Sequence, residues 1–512
     1  MTRISHIVEA VRSSRRRLFV VAFALFFGTG LVWAITTPPF GAGDEPAHVV
    51  RAVAIVEHGD LHGEKRGNPP QSFERIVRVP AIYRDSGLRA SCYAFYPNVT
   101  PACASFAGSS KDVDTPTYSV RHPPAYYTVV AALTAWADPL LGLDLMRAIT
   151  AAICSALLAA ATVSLFEQRE GELAGAGMLI ALTPMALYLS GVVNPNGPEI
   201  AAGIAVWVSG VRLATEDGPI SRRLVARLAI AASVFTLSRE TSPFWLLLVA
   251  LTLLALTTRP RLREIVRERS VRIWVGVVFS LTLAQTAWDL AVRPFGVKDR
   301  RVAITGSTSE IVRGAIGQVV PNFRESIGTF GWFTDPAPMP VILVWTAGLG
   351  ALLIAVFVLA KKRDLVVVGV LAAIAIVVPT IADASIARDT GFSWQGRYIL
   401  PFAAGIPIVA AYALRRSPRV DTGMARRLAT ALGVVFAVGQ TIAYGQQLRR
   451  YTVGRDGSLL YFVKWDWSPP LPPWLLLGTY LACIIGLAVL LTAPGRALDD
   501  AEVTTAAVPA EA

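Results

Sequence analysis

The sequence predicts an all-α integral membrane protein with about 12 transmembrane helices, within a range of roughly 11 to 13. Hydrophobic residues make up 54% of its 512 residues and charged residues only 16%, and the mean hydropathy is +0.51. A soluble chain of this length could not cover its surface with so few charges. Apolar runs rich in Leu, Ala and Val recur throughout, many near the roughly 20 residues that cross a bilayer. They lack the alternation that is typical of β-barrel strands.

Basic residues set the expected orientation of these helices. Arg15, Arg16 and Arg17 precede the first apolar run, about 18–37, which is too long for a signal-peptide core and lacks a small-residue cleavage site. Positive residues favour the cytoplasm, so this run is expected to be an anchored helix with the N-terminus inside. The other strongly basic connections are expected on the same side: 221–227, 259–272, 361–363 and 415–427. The remaining spans are predicted near 145–165, 173–192, 197–214, 224–238, 243–258, 272–292, 341–360, 365–383, 397–414, 427–447 and 474–493.

This topology divides the chain into a cytoplasmic basic N-terminus over 1–17, a membrane domain over 18–493 and a disordered cytoplasmic tail over 494–512. Two long extracytoplasmic loops are expected at about 38–144 and 293–340.

The first of these loops should contain juxtamembrane helices. Residues 45–58 carry apolar side chains at helical spacing, which predicts a helix lying along the membrane interface. Residues 124–141 have a short apolar core that Asp138-Pro139 interrupts. A crossing there would also put every later basic connection outside, so a juxtamembrane or re-entrant helix is expected. The spacing of Cys92 and Cys103 leaves open whether they form a disulfide.

With this orientation, the polar motifs between the spans all face outward, whereas the inner connections are basic and otherwise plain. Such asymmetry indicates chemistry on the extracytoplasmic face. The formal charge of +12 is explained by the arginines between spans, which suit topology and anionic lipid rather than nucleic acid. The motifs are Asp44-Glu45-Pro46-Ala47-His48, His122-Pro123-Pro124, Asn194-Pro195-Asn196-Gly197, Ser238-Arg239-Glu240, Phe330-Gly331-Trp332-Phe333-Thr334-Asp335 and Trp394-Gln395-Gly396-Arg397-Tyr398.

Five of these motifs, in this order over roughly residues 20–490, resemble a family of bacterial polytopic membrane proteins, DUF2142. That family is similar to the GT-C glycosyltransferases, which take a sugar from a polyprenyl-phosphate carrier outside the cytoplasmic membrane. The resemblance implies a GT-C-like helix arrangement, a bacterial inner-membrane location and catalytic roles for Asp44 and Glu45. One departure is Asn196, where the family often has Asp. If the family's Asp binds a cation, this chain lacks one charge there, although Glu199 lies nearby and could replace it. Whether the protein requires a metal is therefore left open.

The chemistry can also be argued from the residues. Glycosyl transfer to a hydroxyl needs a base for the acceptor proton and stabilisation of the leaving phosphate. Asp44 is the best candidate base, and Glu45 would orient the acceptor or bind a cation. Arg397 suits a phosphate through charge-assisted hydrogen bonds, and Arg239 could do the same. The predicted substrate-binding residues are His48, His122, Asn194, Asn196, Arg239, Trp332, Gln395, Arg397 and Tyr398.

Each residue also has a structural interpretation. Acidic residues suit the first turn of a helix, an arginine at the end of a span can reach the headgroups, and tryptophan is common at membrane interfaces. If a divalent cation such as Mg²⁺ or Mn²⁺ is bound, Asp44 and Glu45 are the expected ligands.

The sequence therefore predicts an inverting membrane glycosyltransferase that acts on the extracytoplasmic face. Its expected partners are a polyprenyl-phosphate-linked sugar donor, an envelope glycan or glycolipid acceptor and membrane lipids. Three alternatives remain open: a polysaccharide polymerase or ligase, a transporter or flippase of lipid-linked sugars, and a non-catalytic scaffold for envelope assembly. The spans hold few charges, whereas transporters place ionisable groups near the bilayer midplane, so the enzyme is favoured.

Overall fold

The computed structural model describes residues 3–64, 74–134, 136–167, 171–292 and 302–494, and it is mostly helical. The predicted tail beyond residue 494 lies outside the described residues. The helices are α1 (Arg3–Arg12), α2 (Arg15–Thr36), α3 (Glu45–His58), α4 (Ala81–Ala94), α5 (Pro124–Ala132), α6 (Pro139–Phe166), α7 (Glu172–Ala181), α8 (Pro184–Leu189), α9 (Asn196–Thr215), α10 (Arg222–Ser238), α11 (Ser242–Leu256), α12 (Arg259–Arg267), α13 (Arg269–Val292), α14 (Thr308–Gly317), α15 (Val319–Ile327), α16 (Met339–Leu359), α17 (Lys362–Thr390), α18 (Leu400–Ala403), α19 (Gly405–Arg415), α20 (Thr422–Val453) and α21 (Pro473–Thr492).

Eight helical segments in the described chain are long and apolar enough to cross a membrane: α2, α6, α13, α16, α17, the segment Gly396–Arg415, α20 and α21. Helices α7 and α11 are shorter apolar helices. The all-α membrane fold is thereby confirmed. The number of crossings stays a prediction, because α9 and α10 occupy predicted spans but carry charged residues, among them Glu199 and Arg227.

The basic connections meet at one end of the helix bundle. Glu167, after α6, pairs with Arg15 at 2.8 Å and with Arg212 at 2.5 Å, and it also contacts Arg227. Arg415 reaches the same region through Glu216, which pairs with Arg212 as well. These ion pairs lie at the N-terminal end of α2, a helix of 22 residues that is about 33 Å long. The residues after its C-terminal end, Asp44 included, are therefore at the opposite end of the bundle.

An aromatic cluster fixes the far end of α2. The indole of Trp33 packs against Phe330 at 5.4 Å, Tyr188 at 5.2 Å and Tyr444 at 5.0 Å between ring centroids. Its Nε1–H donates to the hydroxyl of Tyr480 at 3.3 Å. Aromatic rings in such edge and offset contacts pack with defined geometry. The cluster therefore fixes the position of the chain segment that leads into the 44–48 motif.

Between α2 and α6 the chain forms a small layer with its own apolar core. Strands β1 (Arg75–Pro80) and β2 (Asp112–Thr117) pair antiparallel, with Arg75 opposite Thr117, and both pack on α3. A disulfide joins Cys92 to Cys103. Two further short strands, β3 (Thr329–Phe330) and β4 (Asp335–Pro336), form a hairpin in the second long loop.

The two helices predicted for the first loop are present as α3 and α5. Helix α3 is covered by protein, because β1, β2, α4 and α5 pack on it and residues such as Val49 and Ala52 are fully buried. Helix α5 has nine residues, about 14 Å, which is too short to cross a bilayer. The next helix, α6, begins at Pro139 rather than near 145, and the Asp138 carboxylate caps it by accepting from Leu140 at 3.1 Å.

Candidate functional site

The turn before α3 holds Asp44 in a left-handed backbone conformation, with φ of 67°. Phe40 and Phe333 are the other non-glycine residues of the described chain with positive φ. The two loops that carry these three residues are joined directly, since Gly43 N–H donates to the carbonyl of Gly331 at 2.7 Å. Left-handed non-glycine residues are uncommon and often mark functional positions. The strained positions therefore point to the surroundings of Asp44.

The neighbouring Glu45 points the other way, into an ion pair with Arg147. The two carboxylate oxygens accept from Arg147 at 2.8 and 2.6 Å, and one of them also accepts from Val193 N–H at 3.1 Å. Both side chains are buried, with exposures of 0% and 1%. All five Arg147 N–H groups are used, because the rest donate to the carbonyls of Ala34, Thr37 and Pro38. This geometry favours a structural role for Glu45 over the predicted catalytic one.

The Asp44 carboxylate contacts two side chains from distant parts of the sequence. Arg397 donates to one oxygen and the Tyr118 hydroxyl donates to the other. About a quarter of the Asp44 side chain (26%) stays exposed, against 3% for Arg397. Burial acts to raise the pKa of Asp44, but Arg397, His48 and the Tyr118 hydrogen bond together hold it well below its usual range. Asp44 is therefore ionised at neutral pH.

Two histidines lie beside this pair. The ring of His48 is 5.6 Å from the ring of His122, and its Nδ1 is 2.8 Å from the Tyr127 hydroxyl. His122 Nδ1 lies 2.6 Å from a Glu240 carboxylate oxygen. Burial lowers the pKa of both histidines; for His48 the adjacent His122 lowers it further, and for His122 the burial outweighs the opposing charge of Glu240. Burial therefore favours the neutral form of both rings, and a neutral imidazole can donate one hydrogen bond and accept another from a substrate.

A second buried arginine faces the same tyrosine as Arg397. The guanidinium carbon of Arg239 is 4.3 Å from the centre of the Tyr398 ring, and that of Arg397 is 5.3 Å from it. Arg239 contacts Glu240 once, at 3.5 Å. In the described part of the chain, its buried Nε and Nη1 have no hydrogen-bond partner, and neither does Nε of Arg397. The site thus presents buried cationic donors that the protein itself does not satisfy.

The Asn-Pro-Asn-Gly motif lies beside Arg239. Asn194 Oδ1 accepts from Asn196 N–H at 3.0 Å, as expected for an Asx turn that begins α9. Glu199, one turn further on, accepts from the Ser242 hydroxyl at 2.7 Å. That hydroxyl also accepts from Arg239 N–H at 3.1 Å. The motif is therefore linked to the Arg239 backbone through Glu199 and Ser242.

Trp332 and Gln395 are placed differently from the other predicted residues. The Trp332 indole donates to the Phe40 carbonyl at 2.9 Å and packs edge-on against Phe95. It therefore supports the turn before Asp44, and its indole makes these contacts rather than contacts with Arg239 or Tyr398 in the described part of the chain. Gln395 adjoins the two-arginine site in sequence, and its buried side-chain oxygen has no partner among the described residues.

Among the described residues, one set of three side chains is placed so that it could hold a metal ion. The ligand atoms of Glu57, His58 and Asp112 all lie within 4.8 Å of one another. It lies at the end of α3 remote from Asp44. The carboxylates of Asp44 and Glu45 engage different arginines, so they offer no shared cation position. A requirement for Mg²⁺ or Mn²⁺ stays a prediction.

Four residues at or near the site were not among those predicted from sequence: Tyr118, Arg147, Glu199 and Glu240. For Arg147 a signal existed, because an arginine within a predicted span is expected to have a buried partner. Glu240 was visible only as a neighbour of Arg239, and Glu199 only as a neighbour of Asn196. Tyr118 carried no signal, because its contact with Asp44 depends on how β2 packs on α3.

The Asp44–Arg397 contact leads to a pH prediction. Arg397→Gln keeps a hydrogen-bonding side chain but removes the cation that lowers the pKa of Asp44. Because loss of a nearby positive charge disfavours the carboxylate, that pKa should rise. If Asp44 must be ionised for activity, the acidic limb of kcat/KM against pH should move to higher pH. If the acidic limb does not move, the group that titrates there is not Asp44. Arg84→Gln, at a partly exposed position, is the control and should leave the limb unchanged.

Comparison with known proteins shows what the chain is similar to. A family model described as predicted membrane protein (DUF2142) matches residues 26–406. A crystal structure of ArnT from Cupriavidus metallidurans in the apo state aligns with a TM-score of 0.34 and 16% sequence identity, covering 92% of this chain and 76% of that one. A search of curated proteins found no match.

Proposed function

The chain belongs to the DUF2142 family of predicted membrane proteins, and we propose that it is a glycosyltransferase. It would move a sugar from a polyprenyl-phosphate-linked donor to an envelope glycan or lipid acceptor on the extracytoplasmic face. One observation carries the proposal: the partly exposed Asp44 carboxylate contacts Arg397, beside a second buried arginine whose Nε and Nη1 have no partner among the described residues. A base and an anion site are what transfer from a phosphate leaving group needs.

In the proposed reaction Asp44 takes the proton of the acceptor hydroxyl. The acceptor oxygen forms a bond to the anomeric carbon while the bond from that carbon to the phosphate oxygen breaks. One carboxylate suffices for such a single displacement, which inverts the anomeric configuration; a retaining route would use a second carboxylate as nucleophile. Glu45 cannot serve as that nucleophile while it pairs with Arg147. Arg397 stabilises the negative charge that develops on the leaving phosphate.

The contact between Asp44 and Arg397 suggests how donor binding prepares the base. In the structure one Arg397 nitrogen donates to Asp44. A donor phosphate would compete with Asp44 for this guanidinium. Because sharing the cation weakens its hold on the carboxylate, the pKa of Asp44 should rise when the donor binds. Asp44 would then be a stronger base in the ternary complex than in the free enzyme.

The location on the outer face is supported by two features. The site lies at the end of the bundle opposite the Glu167 ion pairs, where the basic connections meet, and basic connections favour the cytoplasm. The Cys92–Cys103 disulfide belongs to the same end as Asp44, and disulfides persist in oxidising compartments.

An apolar cavity beside the site suits the lipid tail. It has a volume of about 340 Å³ and lies between α7, α15, α16, α17 and α19. Trp394, three residues before Arg397, lines it together with Ile399 and Leu400. A tail in this cavity would place the phosphate of the carrier next to the two arginines. Burying apolar chain contributes about 0.8 kcal/mol per methylene group, so a polyprenyl tail would supply much of the donor's affinity.

Filling this cavity should impair use of the donor. Ala375, on α17, lines the cavity. We expect Ala375→Trp to raise KM for the lipid donor about 10-fold or more while changing kcat less. The reason is that the tail binds equally in the ground state and the transition state, so its loss affects KM rather than kcat. Ala373, on the same helix, is absent from the cavity lining, so Ala373→Trp is the matched control. Equal KM values in the two variants would indicate that the lipid tail of the donor binds outside this cavity.

The proposal is tested by incubating the purified protein with radiolabelled polyprenyl-linked sugars and envelope glycan or glycolipid acceptors. Labelled product that depends on the protein supports it. Accumulation of a solute or lipid-linked sugar in sealed vesicles, without any new glycosidic product, would instead indicate the transporter. Extension of an acceptor by repeated units would indicate the polymerase.

A further inference from the structure

Three buried arginines at this end of the bundle differ in how well the protein satisfies them. Arg147 uses all its N–H groups in bonds of 2.6 to 3.1 Å. Arg397 has one contact with Asp44 and a partnerless Nε. Arg239 alone, among the arginines of the described chain, has two buried nitrogens without a partner. Leaving a buried donor unsatisfied is costly, so Arg239 is the arginine of the described chain with the most buried donors left for a ligand to accept from.

Glu240 and Glu199 lie close enough to Arg239 to interact with its charge, but among the described residues neither makes a short hydrogen bond to its side chain. Its contact with Glu240 is 3.5 Å long, at the limit of a hydrogen bond, whereas the same carboxylate is 2.6 Å from His122. Arg239 is 5% exposed. Its side chain is also close enough to Arg397 for the two cations to repel each other. An anion between them would relieve that repulsion and occupy the partnerless nitrogens at once.

The two guanidiniums lie near one tyrosine ring, so they can contact neighbouring groups of a single ligand. A phosphodiester has one phosphoryl group, which Arg397 alone can hold. The partnerless nitrogens of Arg239 would then remain unsatisfied. A diphosphate diester has two adjacent phosphoryl groups, one to accept hydrogen bonds from each arginine. Paired, charge-assisted hydrogen bonds of this kind are where arginine is favoured over lysine.

We propose that the carrier of this enzyme is a polyprenyl diphosphate: Arg397 holds the phosphoryl group bonded to the sugar, and Arg239 holds the phosphoryl group bonded to the lipid. The inference rests on the proposed function and narrows its donor. The bond from the anomeric carbon to the diphosphate oxygen breaks, the acceptor oxygen takes its place, and the acceptor proton goes to Asp44. Polyprenyl diphosphate leaves with both electrons of the broken bond. Arg239 thus acts by holding the leaving group.

The test compares farnesyl diphosphate with farnesyl phosphate as ligands of the purified full-length protein, by calorimetry or by protection against thermal unfolding. The wild type should bind the diphosphate about 10-fold or more tightly than the monophosphate, as one added charge-assisted pair implies. Arg239→Gln should remove most of that preference, and Arg397→Gln should weaken both ligands. Arg84→Gln, a surface change in the same outer layer, should alter neither.

The outcomes separate this inference from the function on which it rests. Equal binding of the two ligands by the wild type overturns the diphosphate proposal, whether or not the variants fold. Sugar transfer from monophosphate donors but not from diphosphate donors also overturns it and leaves the glycosyltransferase proposal standing. Failure of both ligands to bind, together with absence of transfer from either donor, contradicts both proposals.

Discussion

Asp44→Asn is expected to lower sugar transfer by about 10²- to 10⁴-fold, the usual contribution of a general base. Asn cannot take the acceptor proton, yet it is close to Asp in size; its amide oxygen can still accept a hydrogen bond from Arg397, and its NH2 group can donate to the Tyr118 hydroxyl oxygen. It also tolerates the left-handed conformation at φ of 67°, which Asp and Asn adopt more readily than most residues. The turn before α3 should therefore survive, and the loss should reflect chemistry rather than folding.

Binding of the donor provides the second readout for this variant. Since the uncharged amide of Asp44→Asn would no longer compete electrostatically for Arg397, farnesyl phosphate and farnesyl diphosphate should bind as tightly as to the wild type, or more tightly. Asp85→Asn is a matched control, because Asp85 pairs with Arg84 at 2.9 Å and is 29% exposed, against 26% for Asp44. Equal transfer by Asp44→Asn and the wild type would remove the base assignment, and reduced transfer by Asp85→Asn would mean that the assay reports general damage.

Arg147→Met is expected to destabilise the protein by about 3–5 kcal/mol, as removal of one partner from a buried ion pair generally does. The change leaves the Glu45 carboxylate buried without its cation and removes the hydrogen bonds that the carbonyls of Ala34, Thr37 and Pro38 accept. The measurement is the thermal unfolding temperature of the purified protein in detergent. Arg147→Lys should restore little, because an ammonium cannot supply five donors in the guanidinium geometry.

A double variant separates the lost charge pair from lost packing. Glu45→Leu combined with Arg147→Met removes both charges, so it should be more stable than Arg147→Met alone. It should stay below the wild type, since Val193 N–H and the three carbonyls still lack partners. Arg84→Met, which breaks a partly exposed pair, should change stability by about 0–1 kcal/mol. If Glu45→Gln lowered sugar transfer without lowering the unfolding temperature, that result would support the catalytic role predicted for Glu45 from the sequence.

The comparison of Asp44 with Glu45 shows where prediction from sequence reached its limit. Both are carboxylates before Pro46, and nothing in their order distinguishes a base from a structural ion pair. The distinction arises because successive residues at the start of a helix point in different directions. Asp44 faces Arg397, while Glu45 faces Arg147 on α6. The roles predicted for the site residues remain to be tested, but the structure brings Asp44, His48, His122, Arg239, Arg397 and Tyr398 into mutual contact or close to one another.

The helical membrane architecture was readable from the sequence because it depends on local properties. Apolar runs near 20 residues cannot leave their backbone groups unpaired in lipid, so they must be helices. The basic connections likewise predicted which helix ends lie on the same side of the membrane. In the structure Glu167 contacts arginines near three such ends, on α2, α9 and α10. The covered position of α3 and the two-stranded β1–β2 ribbon were not predicted, because short strands in a loop depend on distant pairing.

By itself the sequence determined that this chain is a polytopic helical membrane protein, and which polar motifs share one end of it. Only the tertiary structure decided which charges meet: Asp44 with Arg397, 353 residues apart in the chain, and Glu45 with Arg147. The reason is physical. A helix and its sidedness follow from hydrophobicity and charge over a short stretch, whereas a buried polar contact depends on the positions of several helices at once, and no local pattern records those positions.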